Sequence, residues 1–181
     1  MARRAALTGT PGTGKTTVAR LLARGRPVVE VGDLAVRGGW GRAGKRGIEV
    51  DLRGLVRSLR ARPSEFGAEI VVGHLAHLLP IRDVVVLRCQ PLELGRRLTR
   101  AQRGDRGTRR ENLLAETLGV ITAEALARGR NIFEVDTTGR SPAAVAREVA
   151  GWLRGARPSR WGRIDWLADP SVTDHLLEWV T

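Results

Sequence analysis

Apolar and polar positions along this 181-residue chain follow two rhythms. Short apolar runs at residues 5–8 (AALT), 28–31 (VVEV), 69–72 (EIVV), 83–87 (DVVVL) and 131–135 (NIFEV) have the length of strands. The unbroken valines at 84–86 predict a strand covered on both faces, as in a parallel sheet. Between these runs the apolar spacing widens to helical intervals. Residues 16–24 put Val18, Leu21 and Leu22 on one face. Residues 50–59 read as a helix ended by Arg62-Pro63, because the position before a proline leaves the helical region. Residues 92–101 are helical, and residues 111–128 carry Leu114, Leu118, Ile121 and Leu126 as one long helix. Ser141 as N-cap and Pro142 at the first helical position open another. Residues 32–47, rich in glycine and arginine, predict irregular chain, and residues 102–110 form a polar, basic break.

Five alternations of strand and helix predict an α/β fold: a five-stranded parallel sheet, helices on both faces, right-handed connections. The length suits one domain with a full core. There is no internal repeat. The composition shifts after residue 155, where three of the five tryptophans (Trp161, Trp166 and Trp179) stand among charged residues. That segment is expected to dock on the domain or on a partner.

Composition narrows the compartment. No apolar run approaches the ~20 residues that span a bilayer, and the first residues leave no room for a signal peptide core. One cysteine, Cys89, excludes an internal disulfide and a cysteine-rich metal site, and the expected location is the cytoplasm. The formal net charge of +12 has two readings. One is an anionic partner such as a nucleotide, RNA or a ribosomal particle. The other is a general replacement of lysine by arginine.

That replacement makes one residue conspicuous. Only two lysines, Lys15 and Lys45, stand among 31 basic residues. Lys15 lies in "LTGTPGTGKTT" (7–17), which satisfies G-x-x-x-x-G-K-[ST] with Gly9, Gly14, Lys15 and Thr16 between a strand and a helix. Glycines at 9, 12 and 14 let the backbone approach a polyphosphate closely. The helix that follows offers its N-terminus. Lys15 reaches the β and γ oxygens with a compact ammonium that arginine's planar fork does not replace. Thr16 offers its hydroxyl to Mg²⁺.

The loop, "VGDL" (31–34), "IVVGHLAHLLP" (70–80), "VVVLRCQP" (84–91), "ENLLAE" (111–116) and "NIFEVDTTGRSP" (131–142) follow in order. Together they resemble the archaeal and eukaryotic adenylate kinase isoenzyme 6 group over residues 5–150. The resemblance implies a P-loop nucleoside monophosphate kinase fold with a small acceptor-binding insert and a lid. On this chain these correspond to a kinase domain at 1–155, an insert near 32–60, a lid near 102–110 and an extension at 156–181. It also implies ATP and AMP as substrates with Mg²⁺, ATPase activity, a role in small ribosomal subunit maturation, and ribosomal protein uS11 and rRNA as partners. No membrane contact or DNA-specific motif is expected.

Carried over residue by residue, Gly12, Thr13, Gly14, Lys15, Thr16 and Thr17 match the ATP-binding loop. Asp33 matches an aspartate near the metal and acceptor phosphate. His74 matches a histidine linked to ATP hydrolysis. Arg97 and Arg103 match arginines that start the lid, and Thr138 lies in the loop near the adenine. Two departures stand out. The group's D-x-H pattern reads Val72-Gly73-His74 here, which leaves Asp33 as the main acidic candidate. The acceptor region, usually acidic, reads "RGGWGRAGKRG" (37–47).

Three activities remain open at this stage. The first is transfer of a phosphoryl group from ATP to AMP. The second is ATP hydrolysis in a ribosome-assembly factor. The third is a small-molecule kinase of the shikimate or gluconate type, with Asp33 activating a hydroxyl. Asp33 keeps a structural alternative as a helix cap, and His74 as an ordinary packed histidine.

Overall fold

A computed structural model describes residues 4–44, 47–155 and 158–175; Lys45 and Trp179 lie outside the described residues. The first half of the chain forms β1 (Ala5–Gly9), α1 (Lys15–Leu22), β2 (Val28–Glu30), α2 (Val31–Arg37), the hairpin β3 (Gly41–Gly44) and β4 (Gly47–Val50), α3 (Leu52–Ala61) and β5 (Ile70–Val72). The second half forms β6 (Asp83–Arg88), α4 (Pro91–Arg100), α5 (Arg106–Thr117), α6 (Val120–Ala127), β7 (Asn131–Asp136), α7 (Pro142–Arg154) and the short α8 (Pro170–Thr173). The main sheet has the order β2-β5-β1-β6-β7 with every pairing parallel. It is the five-stranded α/β sheet that the apolar runs predict.

Side chains alternate across the strands, so each face builds its own core. Leu7, Val85 and Phe133 face α1 and α7, meeting Val18, Val145 and Val149, with Trp152 stacked on Phe133 at 5.0 Å between centroids. Ala6, Val71, Val84 and Val86 face the opposite layer, where Leu34, Leu55, Leu59 and Ala125 cover them. A third cluster of Cys89, Leu94, Leu98, Leu113 and Val172 closes the end of the sheet where the phosphate loop emerges. Each leucine buried this fully contributes about 1.5–3 kcal/mol.

Three sequence expectations need correction. The described residues of 32–47 are not irregular: they hold most of α2, all of β3 and the start of β4. Val31, Leu34 and Ala35 repeat at helical intervals and are buried, a signal masked by the surrounding glycines and arginines. The hairpin is tied back to α2 because Trp40 N donates to Ala35 O and Asp51 N donates to Trp40 O, both at 2.8 Å. Trp40 then lies flat on Gly54 of α3, where a Cβ would stand 2.1 Å from its Cε3.

The long helix expected at 111–128 is two helices, broken at Gly119 with φ of 62°. Arg88 Nη2 donates to Glu116 O at 2.8 Å, taking a last-turn carbonyl that a continuing helix would use. The polar break at 102–110 is half helical. Asp105 caps α5 by accepting from Thr108 N at 2.7 Å, and the helix starts at Arg106.

The described part of the C-terminal segment runs against the domain. Arg160 pairs with the edge strand β7 through Glu134 N to Arg160 O and Arg160 N to Ile132 O, with its guanidinium 4.4 Å from the Phe133 ring centroid. From there the chain reaches the third cluster, which α8 completes with Val172.

Candidate nucleotide-binding site

The loop between β1 and α1 is shaped by its glycines. Gly9, Gly12 and Gly14 have φ of 142°, 96° and 96°, conformations that side chains rarely adopt. Two of them also mark close approaches. A Cβ on Gly9 would stand 2.4 Å from Leu87 O, and one on Gly12 would stand 2.8 Å from Leu94 Cδ1. Inside the turn Thr13 is buried, and both its N–H and its hydroxyl donate to Thr10 O, at 3.2 and 2.9 Å. Helix α1 begins at Lys15 with Gly14 as N-cap and no side chain capping it. The N–H groups of Lys15, Thr16 and Thr17 have no backbone acceptor among the described residues. Uncapped donors at the positive end of a helix dipole suit an anion.

Lys15 folds over the loop, donating from Nζ to Gly9 O at 2.7 Å and to Thr10 O at 3.0 Å. Burial brings its ammonium down from 10.5 to about 8; the charges of Glu116 and Glu30 resist that shift and Arg103 adds to it. A desolvated cation held among carbonyls gains much from an arriving phosphate.

Thr16 and Asp33, the expected metal pair, line one cavity of about 570 Å³ together with Glu30, Arg20 and Arg37. Glu30 precedes α2 and Asp33 sits in its first turn, so the strand-to-helix turn after β2 aims two carboxylates at the start of α1. Neither makes an ion pair among the described residues. A hydroxyl and two carboxylates are hard oxygen donors, the set that suits Mg²⁺ carried on a polyphosphate. No cluster of three or more acidic, histidine or cysteine side chains able to hold a metal alone occurs among the described residues.

His74 follows β5 and is exposed on the site side. Burial of the ring and the neighbouring Lys15 charge lower its pKa, so the imidazole is neutral at pH 7 and able to accept a proton. His77 is different: it is buried, with Nδ1 3.2 Å from Thr8 Oγ1 and Nε2 2.7 Å from Glu124 Oε2. Burial also lowers its pKa. A neutral ring with its proton on Nε2 donates to Glu124, and its Nδ1 then shares the one Thr8 hydroxyl proton with His74 O, 3.1 Å from Thr8 Oγ1. His77 therefore fastens the residues before the phosphate loop to α6.

Arg103 follows α4 and is exposed, with its charge felt at Lys15. Arg97 lies elsewhere. Its guanidinium donates to Thr137 Oγ1 and Thr137 O at 3.1 and 2.8 Å and pairs with Glu93, bracing the loop after β7. Thr138 in that loop takes Gln90 N at 2.8 Å and hydrogen-bonds Asp136. The structure thus gathers Lys15, Thr16, Asp33, His74 and Arg103 around the loop and sets Arg97 and Thr138 to one side.

Sequence reasoning missed Glu30, Thr10 and Glu116. Glu30 was hidden inside a strand run. Thr10 Oγ1 donates to the buried Glu116 Oε2 at 2.6 Å across 106 positions, a pairing no local pattern announces. Cys89, expected in the core, is buried, and burial pushes its thiol up to about 11.

Comparison with known proteins agrees with this geometry. Residues 6–119 match a family model described as an AAA domain, AAA_18. The chain is 43% identical over 170 residues to an Archaeoglobus fulgidus protein described as "Putative adenylate kinase", covering 91% of this chain and 92% of that one. It is 39% identical over 164 residues to a protein of the same description from Thermococcus onnurineus, covering 88% and 89%. Among solved structures, shikimate kinase from Acinetobacter baumannii in complex with shikimate superposes with a TM-score of 0.54 at 20% identity, covering 84% of this chain and 93% of that one. At that identity the likeness is one of fold.

Proposed function

The chain belongs to the P-loop adenylate kinase family of these archaeal relatives, and from that premise we propose that it transfers the γ-phosphoryl group of ATP to AMP. The observation that carries the reading is the shared cavity. Thr16 and Arg20 of α1 line one side of it, and Glu30, Asp33 and Arg37 line the other, next to the loop that carries Lys15 and the α1 N–H groups without backbone acceptors. A donor polyphosphate and an acceptor phosphate need this pairing of an anion cradle with a second basic wall.

Phosphoryl transfer asks for alignment and charge compensation more than for covalent chemistry. Lys15 and the α1 N-terminus neutralise the polyphosphate. Arg103, on the exposed stretch between α4 and α5, adds charge where it develops on the transferring group. Arg37 and Arg20 hold the incoming phosphate. Thr16 with Glu30 or Asp33 would hold Mg²⁺, which would supply neutralisation of phosphate charge. Arg97 and Thr138 shape the wall beside the base. The lid is assigned to residues 102–110 and the acceptor insert to residues 32–60.

The same site supports hydrolysis when no acceptor is bound. Neutral His74, beside Lys15, is the group able to orient and deprotonate a water. Participation in small ribosomal subunit maturation, with uS11 and rRNA as partners in the cytoplasm, rests on the family resemblance and the net charge of +12. No helix among the described residues is long and apolar enough to cross a membrane.

A coupled assay tests the reading with ATP and, in turn, AMP, other nucleoside monophosphates, shikimate or no acceptor. The expected result is ADP formation fastest with AMP and slow without acceptor. Turnover with shikimate and none with AMP would reject it. For the ribosomal part, affinity for a small-subunit rRNA fragment is expected to fall steeply with salt; absent or salt-insensitive binding assigns the charge to composition alone.

A further inference from the structure

Glu116 is where three parts of the chain distant in sequence meet. Its Oε2 accepts the Thr10 hydroxyl proton from inside the phosphate loop at 2.6 Å. Its Oε1 accepts from Arg88 Nε at 2.7 Å, Cys89 N at 3.1 Å and Trp166 Nε1 at 3.2 Å. Trp166 belongs to the C-terminal segment, 50 positions further on. The carboxylate is 2% exposed, so every lost donor leaves an acceptor that water cannot easily reach. Its orientation therefore depends on the loop and the segment being in place together.

Charge sharpens the point. Arg88 stands between Glu116 and Glu134, one guanidinium against two buried carboxylates. The segment returns to this cluster a second time, where Gly162 N donates to Glu134 Oε2 at 2.8 Å. A separate apolar route leads to the same loop. Val172 is fully buried with Leu94 and Leu98, and those two leucines are the side chains that crowd Gly12. Gln90 Nε2 fixes the turn that carries Val172 by donating to Asp169 and Ser171 at 3.3 and 3.2 Å.

We propose that Glu116 is a positioning residue for the phosphate loop and that the C-terminal segment, seated through Trp166 and Val172, holds Glu116 and α4 in the arrangement in which that loop binds a nucleotide. This deepens the nucleotide-site reading above and rests on it. Because coupling is reciprocal, a nucleotide on the loop also strengthens seating of the segment.

The test uses the full chain, with affinity for ATP and Mg²⁺ measured by calorimetry and KM measured for ATP and AMP separately. Thr10→Val keeps the β-branched shape and removes the hydroxyl. Trp166→Phe keeps an aromatic ring in the cluster and removes the indole N–H. Loss of one hydrogen bond to a charged group corresponds to a loss of ~10-fold. We expect Thr10→Val to weaken ATP by about that factor and Trp166→Phe by ~3-fold, with the KM for AMP unmoved. The double variant should lose less than the product of the two, since both act through one carboxylate. A merely structural role would lower the active fraction and leave both KM values alone.

Glu116→Gln gives an independent readout. Glu116→Gln keeps the side-chain shape but replaces one acceptor oxygen with an NH₂ donor, so it should weaken ATP affinity and leave the KM for AMP unmoved. If Glu116→Gln does not fold, the two isosteric variants decide alone. Single variants that bind ATP like the parent, or a double variant whose loss equals the product, overturn the proposal. Failure of the parent chain itself to bind ATP would instead reject the nucleotide site.

Discussion

In the proposed reading, the phosphate loop and the acceptor side would recognise phosphate by opposite means. The loop uses backbone, and its shape is set within nine residues by three glycines, one threonine and one lysine. The acceptor side uses side chains from the end of β2, from α1 and from α2, supported by a hairpin that is itself held by Trp40. The loop has almost no freedom to vary, because a Cβ at Gly9 or Gly12 meets Leu87 O or Leu94. The acceptor wall is exposed at Asp33 and Arg37 and has room. A backbone cradle reads what all nucleoside triphosphates share. The side-chain wall is where acceptor choice can be tuned.

The two regions should break separately, and the largest effect is expected at the cradle. Lys15→Ala should reduce phosphoryl transfer by ~10²–10³-fold, as for loss of a transition-state donor, in single-turnover assays at saturating ATP. Unchanged turnover would place the chemistry elsewhere. Asp33→Asn combined with Glu30→Gln should cost ~10²-fold in kcat with partial rescue at high Mg²⁺, read from metal titrations. If Asp33 only complements the α2 dipole from its first turn, the double variant will differ from the parent in melting temperature and not in metal dependence.

Smaller effects separate the regions further. Gly12→Ala forces a strained φ and a clash with Leu94 and Leu98, and should cost about 1–3 kcal/mol in denaturant unfolding while weakening ATP. Gly54→Ala pushes Trp40 off α3; it should raise the KM for AMP several-fold and leave ATP affinity alone. Equal effects on both substrates would show that the regions are one mechanical unit.

Near neutral pH the smallest effect is a pH dependence, which grows only above about pH 8. Lys15 is protonated below about 8, so ATP affinity should be flat below that pH and fall up to tenfold per unit above it. Its effect on stability has the opposite sign. The folded, unliganded chain releases this proton near 8 and the unfolded chain near 10.5, so the unfolded state binds more protons in that window. This group therefore makes the unliganded protein more stable as pH rises from about 8 to 10.5, and saturating ATP should abolish that gain in urea midpoints.

Legibility in the sequence followed the same division. The five strands and the glycine-rich loop could be read because each signal is contiguous: an apolar run, or a motif of eight residues. The β3–β4 hairpin could not, because its strands are only four residues long, carry glycines and are largely exposed, and they are held by Trp40 lying on Gly54. The break at Gly119 was hidden by a leucine repeat that continues through it, although Leu118 is 58% exposed. Glu116 lay inside a quoted motif, yet nothing local distinguishes it from any other helix carboxylate.

By itself the sequence determined the sheet, the phosphate cradle and the need for one ammonium, since these depend on local dihedral preferences and on apolar runs that must be covered. The tertiary structure alone decided which charges share a cavity, which histidine faces it, and that Thr10, Arg88 and Trp166 converge on one carboxylate. Those contacts join positions from 28 to 106 residues apart. The free energy that fixes them comes from burying polar groups with their partners, and that term exists only once the chain has closed around them.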